Sequence, residues 1–145
     1  SLTASSLQLA QAYSVFANEG YLKDFKLYID NFESSNQQKV ISRDTADEIL
    51  DSLKLVISDG TGSLAKLPNF EVAGKTGTSH KPSSKGGYDQ SKYIASFAGI
   101  APLDTKRLTI FVNIDEPGLN NYSGGSVAAP LFAAISNDVL NYLNE

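Results

Sequence analysis

The chain has 145 residues, 41% hydrophobic and 19% charged, with a formal net charge of -4. That composition fits one domain or a large piece of one, with enough apolar material for a packed core. Scattered Lys and Arg exclude a nucleic-acid surface, the lack of cysteine excludes disulfide and thiolate chemistry, and a single histidine, His80, excludes a multi-His metal site. Chemistry is left to Ser, Thr, Lys, Tyr and carboxylates, and no cofactor or metal is expected.

Ser1-Leu2-Thr3 does not read as a natural start, so a cut or processing boundary is expected there. Ser5 and Gln8 fit a capping box. The helix that follows places Leu9, Ala10, Tyr13, Phe16 and Ala17 on one stripe, and Gly20 is expected as its C′ residue. Residues 21–41 hold short apolar pieces around a polar stretch, Glu33 to Lys39, which reads as an exposed loop. Ser42 caps a second helix, with Asp44, Asp47 and Glu48 in its early turns, where the dipole favours them. Its apolar face is Ala46, Ile49, Leu50, Leu53, Val56 and Ile57. Gly60 to Pro68 is a loop.

The period then changes. Phe70 to Thr78 reads as a strand, residues 80–91 as a polar loop, Tyr93 to Ala101 as a central strand, and Leu108 to Asp115 as a third strand, with Leu108, Ile110, Val112 and Ile114 alternating against Thr109, Phe111, Asn113 and Asp115. Pro117 to Gly125 is a Gly/Asn-rich loop. A last helix is expected from about Ser126 to Leu143, with Pro130 near its first turn and a buried stripe of Leu131, Ile135, Val139 and Leu143. The order predicts an α+β fold with an antiparallel sheet. No apolar run approaches the roughly 20 residues of a membrane helix.

Several motifs fail on context. Gly60-Thr61-Gly62-Ser63-Leu64-Ala65 follows a helix rather than a strand, so it is no dinucleotide fingerprint. Gly74-Lys75-Thr76 ends like a P-loop, but Asn69 stands where its first glycine belongs. Asp115 and Glu116 are strand neighbours and should point to opposite faces, away from a shared target. His80 is expected to be a solvated loop residue rather than a base.

Lys75-Thr76-Gly77-Thr78 survives. At a strand end, Lys75 and Gly77 share one face and Thr76 and Thr78 the other. Gly77 clears a side chain where a peptide backbone can lie close. Free N–H groups of the strand suit β-strand addition, and the N–H near Thr78 suits an oxyanion hole.

The flanking residues carry a family resemblance. Ala73-Gly74-Lys75-Thr76-Gly77-Thr78-Ser79, Lys92-Tyr93-Ile94-Ala95-Ser96-Phe97-Ala98-Gly99-Ile100-Ala101-Pro102, Asp115-Glu116-Pro117, Gly124-Gly125 and Ala128-Ala129-Pro130 resemble class B penicillin-binding proteins, and most of all the division-specific monofunctional transpeptidases. The opening Leu7 to Tyr13 and the Gly60-Thr61-Gly62 loop are similar too. The resemblance implies a β-lactamase/transpeptidase-like fold with a five-stranded sheet, three strands of which lie in this chain. It implies acyl transfer, in which a serine attacks the penultimate D-alanine carbonyl of a peptidoglycan stem peptide and β-lactams trap the same serine. Lys75 would supply positive potential, Thr76 and Thr78 would bind the ligand carboxylate beside Gly77, and the Thr78 N–H would form half of the oxyanion hole. Tyr88 and Tyr122 would flank the cleft. Implied partners are stem peptides, β-lactams and cell-division membrane proteins, at the periplasmic face of the bacterial inner membrane.

The chain departs from the family signature of S-x-x-K, S-x-N and K-T-G. Ser63-Leu64-Ala65-Lys66 and Ser34-Ser35-Asn36 are look-alikes in the wrong order, and Ser63 falls in a loop rather than at a helix start. Residues 1–145 are therefore expected to be the C-terminal portion of a transpeptidase domain, inactive without the missing N-terminal part that bears the nucleophile. Two alternatives stay open: a non-catalytic peptide-binding module of the same fold, and a related serine D,D-carboxypeptidase or β-lactamase. The third strand is expected to have an open edge that favours self-association.

Overall fold

The computed structural model describes residues 3–26, 36–84 and 86–143. Ser34 and Ser35, two of the three residues of one look-alike motif, lie outside the described residues. The chain folds as α1 (Ser6–Ala17), β1 (Tyr21–Lys23), β2 (Gln37–Lys39), α2 (Arg43–Ser58), a 3-10 turn (Ser63–Ala65), β3 (Ala73–Pro82), β4 (Tyr88–Ala101), β5 (Leu108–Asp115), a π turn (Gly124–Ala128) and α3 (Ala129–Leu143). Strands β3, β4 and β5 form an antiparallel sheet in that order, so the α+β expectation stands.

Local rules explain the helix starts. Ser5 and Gln8 make the reciprocal capping box, and the Ser42 hydroxyl accepts from the Thr45 N–H. The end of α1 differs from expectation. Glu19, at φ 55°, is the left-handed C′ residue, and Gly20, at φ 89°, follows it. The Gly20 N–H donates to Val15 O at 2.9 Å, closing a Schellman motif one residue earlier than the sequence suggested. Gly20 is needed there for a second reason: a Cβ on it would overlap Ile41 O. Its own carbonyl accepts from the Val40 and Ile41 N–H groups, which brings β2 antiparallel to β1. Gln37 to Lys39 is thus a strand, not part of an exposed loop; its three exposed side chains gave no period to detect.

The sheet is covered on both faces. Ala73, Ile100 and Leu103 pack with Leu50 and Leu53 of α2 and with Phe16 and Ala17 of α1. On the other face, Phe97 and Val112 pack with Ala128, Ala129, Phe132 and Leu140. The rings of Phe97 and Phe132 lie 4.8 Å apart and both are fully buried. Each such burial contributes on the order of 1.5–3 kcal/mol.

Helix α3 begins at Ala129, behind the π turn, rather than at Ser126, and its buried face is displaced by one residue from the expected stripe. Its buried residues are Ala129, Phe132, Ser136 and Leu140, while Leu131 (43%), Ile135 (38%), Val139 (37%) and Leu143 (60%) are exposed. Two apolar stripes run along this helix, and Phe132 is the one that reaches the sheet over Gly99.

The motif hairpin is longer than the sequence suggested. β3 starts at Ala73 rather than Phe70 and continues past Thr78 to Pro82, and β4 starts at Tyr88. His80 pairs with Tyr93 and Pro82 with Tyr88, across a register shift at His80/Lys81. The expected loop of residues 80–91 shrinks to a short connection in which Gly86 and Gly87 take positive φ.

Candidate functional site: a hydroxyl-lined groove on the edge strand

β3 is an edge strand, paired only with β4 among the described residues. Alternate N–H and C=O groups along it therefore face away from the sheet. The alternation within the motif is as expected. Lys75 and Gly77 pair with Ala98 and Ser96, while Thr76 and Thr78 pair with Phe97 and Ala95 on the α3 side.

On that side lies a groove of about 370 Å³ lined by Thr61, Ser63, Leu64, Thr76, Thr78, Ser123, Gly125 and Ser126. Six of its eight lining residues carry a hydroxyl, and none carries a charge. Two hydrogen bonds hold the motif threonines. Thr61 Oγ1 and Thr76 Oγ1 are 2.7 Å apart, and the Gly124 N–H donates to Thr78 Oγ1 at 3.0 Å.

The opposite wall is a turn that comes down on the strand. Ser123 caps it by a capping box with Ser126. Gly124 lies so close that a Cβ there would overlap Ser96 O and Gly77 O and stand 2.9 Å from Gly77 N. A Cβ on Gly125 would overlap Thr61 O. Glycine at both positions is what lets three segments of backbone meet around the groove.

Lys75 is exposed and its Nζ donates to Thr76 O at 3.0 Å, so the ammonium sits beside the strand edge. Ser63 lines the groove, but Lys66 lines a different hollow with Lys54 and Phe70. The look-alike S-x-x-K thus does not put its lysine beside its serine. No metal-binding cluster of His, Cys, Asp or Glu occurs among the described residues.

Tyr122 and His80 gain neighbours that the sequence did not signal. Tyr122 stacks on Tyr93 at 4.1 Å, and Tyr93 lies 4.5 Å from His80. His80 is a strand residue whose Nδ1 is buried with no hydrogen-bond partner among the described residues, not a solvated loop residue. Tyr122, the residue before Ser123, thereby ties its loop to the motif hairpin. Tyr88 stands at the far end of the hairpin opposite Pro82, 60% exposed, and is not among the groove-lining residues.

Asp115 and Glu116 also depart from expectation. Both reach Lys81 Nζ, at 2.9 and 2.7 Å, and Glu116 also meets Lys92 at 3.2 Å. Glu116 has φ 50°, so it leaves the strand geometry that would have sent the two carboxylates apart. Hydrogen bonds from Lys81 and then Lys92 hold the Glu116 carboxyl below its ordinary range. Hydrogen bonds to Asp115 and then Glu116 push Lys81 up. A larger hollow of about 680 Å³ opens between the end of α1 and residues 103–109, but takes no residue from the motif.

Thr61, Ser123 and Ser126 are site residues that sequence reasoning missed. For Thr61 the signal was present: a hydroxyl between two glycines, in a loop that carried part of the family resemblance but was given no role in the site.

Known proteins share this fold. A family model described as the penicillin binding protein transpeptidase domain matches residues 1–137. A probable peptidoglycan D,D-transpeptidase PbpC of Pseudomonas aeruginosa is 40% identical over 136 residues, covering 93% of this chain and 24% of that protein. The peptidoglycan D,D-transpeptidase FtsI of Buchnera aphidicola is 32% identical over 148 residues, 99% of this chain and 26% of that protein. Among solved structures, the apo transpeptidase domain of Burkholderia pseudomallei penicillin-binding protein 3 superposes with a TM-score of 0.86 at 38% identity, over 97% of this chain and 43% of that one. Penicillin-binding protein 3 of Mycobacterium tuberculosis complexed with ampicillin gives 0.81 at 29% identity, over 97% of this chain and 35% of that one. The chain therefore spans about a quarter of the length of these two curated relatives.

Proposed function

The chain belongs to the penicillin-binding protein transpeptidase family, and on that premise we propose that it forms part of a peptidoglycan D,D-transpeptidase that joins stem peptides by serine acyl transfer and is acylated by β-lactams. The observation that carries the reading is the groove beside β3, where Thr76 and Thr78 point to one side of an edge strand with hydrogen bonds already holding their oxygens. A carboxylate is an acceptor without donors, so a pair of hydroxyls beside a lysine suits it. In this reading Thr76 and Thr78 bind the terminal carboxylate of the stem peptide or β-lactam, and Lys75 adds positive potential. Gly77 lets the ligand backbone approach. The Thr78 N–H supplies one oxyanion donor. Tyr122 flanks the cleft from the Ser123 side, whereas Tyr88, at the far end of the hairpin, stands outside the groove lining.

The attacking serine is assigned to another part of the same polypeptide. No lysine lines the groove with Ser63, which disfavours it as the nucleophile. A role in division at the periplasmic face of the inner membrane, with membrane partners of the division machinery, is proposed from the FtsI relatives. Self-association through β5, whose only strand partner among the described residues is β4, is part of the same proposal.

The experiment is labelling of the parent protein by fluorescent penicillin. Thr78→Val should slow acylation about tenfold or more, the loss expected for one hydrogen bond to a charged group. Undiminished labelling would remove the carboxylate role. Rapid β-lactam turnover without cross-linking would favour a D,D-carboxypeptidase or β-lactamase instead. Stable acylation of the isolated chain would refute the assignment of the serine elsewhere.

A further inference from the structure

Thr61 lies far from the motif in sequence, yet it makes the 2.7 Å contact with Thr76 Oγ1. Its position is fixed from two sides. The Gly62 N–H donates to Val56 O at 3.0 Å, and Gly60 lies against the end of α2, where a Cβ would stand 2.9 Å from Val56 Cα. From the other side Gly125 packs on the Thr61 carbonyl, with no room for a side chain. The loop therefore has little freedom to carry the hydroxyl elsewhere.

A hydroxyl has one hydrogen and two lone pairs. Thr78 Oγ1 accepts the Gly124 N–H, which leaves its own hydrogen to give away. Between Thr61 and Thr76 a single hydrogen lies on the line of contact, and either oxygen can supply it. A bound carboxylate accepts only, so it needs the hydrogen of Thr76 and selects the arrangement in which Thr61 donates. Chains of hydrogen bonds of this kind polarise one another in the same sense.

We propose that Thr61 is a positioning residue that donates to Thr76, so that Thr76 and Thr78 both present an O–H to the ligand carboxylate and the groove prefers a free carboxylate to its ester. This rests on the carboxylate reading of the groove. Thr61 touches no reacting atom; it acts through the direction of the Thr76 hydrogen. Without it, Thr76 keeps its place but loses the donor behind it.

The test uses the parent protein with benzylpenicillin and benzylpenicillin methyl ester, comparing acylation rate constants for Thr61→Val, Thr61→Ser, Thr76→Val and Thr78→Val. Thr61→Val should slow acylation by the free acid about tenfold, slow the ester less, because a hydrogen bond to a neutral ester oxygen is weaker than one to a carboxylate, and so shrink the acid-over-ester preference. Thr61→Ser, which keeps the hydroxyl, should restore it. An unchanged preference in Thr61→Val, or an equal loss on acid and ester, overturns the inference. If Thr76→Val and Thr78→Val also keep the full preference, the carboxylate subsite itself falls; if they lose it while Thr61→Val does not, only the role of Thr61 falls.

Discussion

The backbone N–H of Gly124 donates to the hydroxyl of Thr78 across 46 positions of sequence, tying the turn before α3 to the motif strand. Gly124 can approach only because it lacks a Cβ, which would overlap Ser96 O and Gly77 O. Gly124→Ala should destabilise the protein by about 1–3 kcal/mol, the cost of overpacking against backbone that cannot yield. Urea unfolding measures it. A midpoint equal to wild type would mean the turn has room to lift.

The phase of α3 predicts an asymmetric response to alanine. Leu140→Ala, on the buried face at 4% exposure, should cost about 2–5 kcal/mol. Leu131→Ala, 43% exposed, should cost less than about 1 kcal/mol in the isolated chain. Thermal unfolding of both variants checks the pair, and a reversed order would restore the stripe of Leu131, Ile135 and Val139.

Lys81, Asp115 and Glu116 give a pH dependence with a defined sign. Glu116 titrates below its ordinary value of 4.5, so its contribution is present above that pH and is lost as pH falls through the folded value. Lys81 titrates above its ordinary 10.5, so its contribution is complete below that pH and is lost as pH rises through the folded value. The tie between β3 and the end of β5 should hold between those limits. In Lys81→Met the Glu116 carboxyl should titrate closer to its ordinary value, as read by carbon NMR. No movement would show that Lys92 alone holds it.

Gly20→Ala places a side chain at φ 89° and onto Ile41 O. The backbone strain alone is about 1–2 kcal/mol. Because Gly20 O accepts from the Val40 and Ile41 N–H groups, those two amides should exchange hydrogen faster in the variant. Unchanged protection would mean that β1 and β2 pair without this anchor.

The outer edge of β5 predicts concentration-dependent association of the isolated chain, measured by sedimentation. A monomer at high concentration would show that this edge is harmless.

Much of this was legible in the residues. The two serine caps and the apolar face of α2 are set by neighbours within one or two turns, and the limits of β5 by the alternation of Leu108, Ile110, Val112 and Ile114. So is the split of Lys75 and Gly77 from Thr76 and Thr78, because a strand has a period of two. The family, too, was legible from residues around the motif.

What tertiary structure decided were choices between options of equal local merit. Two apolar stripes on α3 serve equally well for burial until Phe132 meets Phe97. A polar run from His80 to Ser91 looks like loop until Tyr93 packs against His80 and Lys81 finds Asp115 and Glu116. Thr61 has no local reason to face Thr76; only the glycine contacts that press three backbone segments together bring the two hydroxyls within 2.7 Å. Local physics sets caps and periods over a few residues, whereas partners far apart in sequence are selected by packing, which exists only once the sheet has formed.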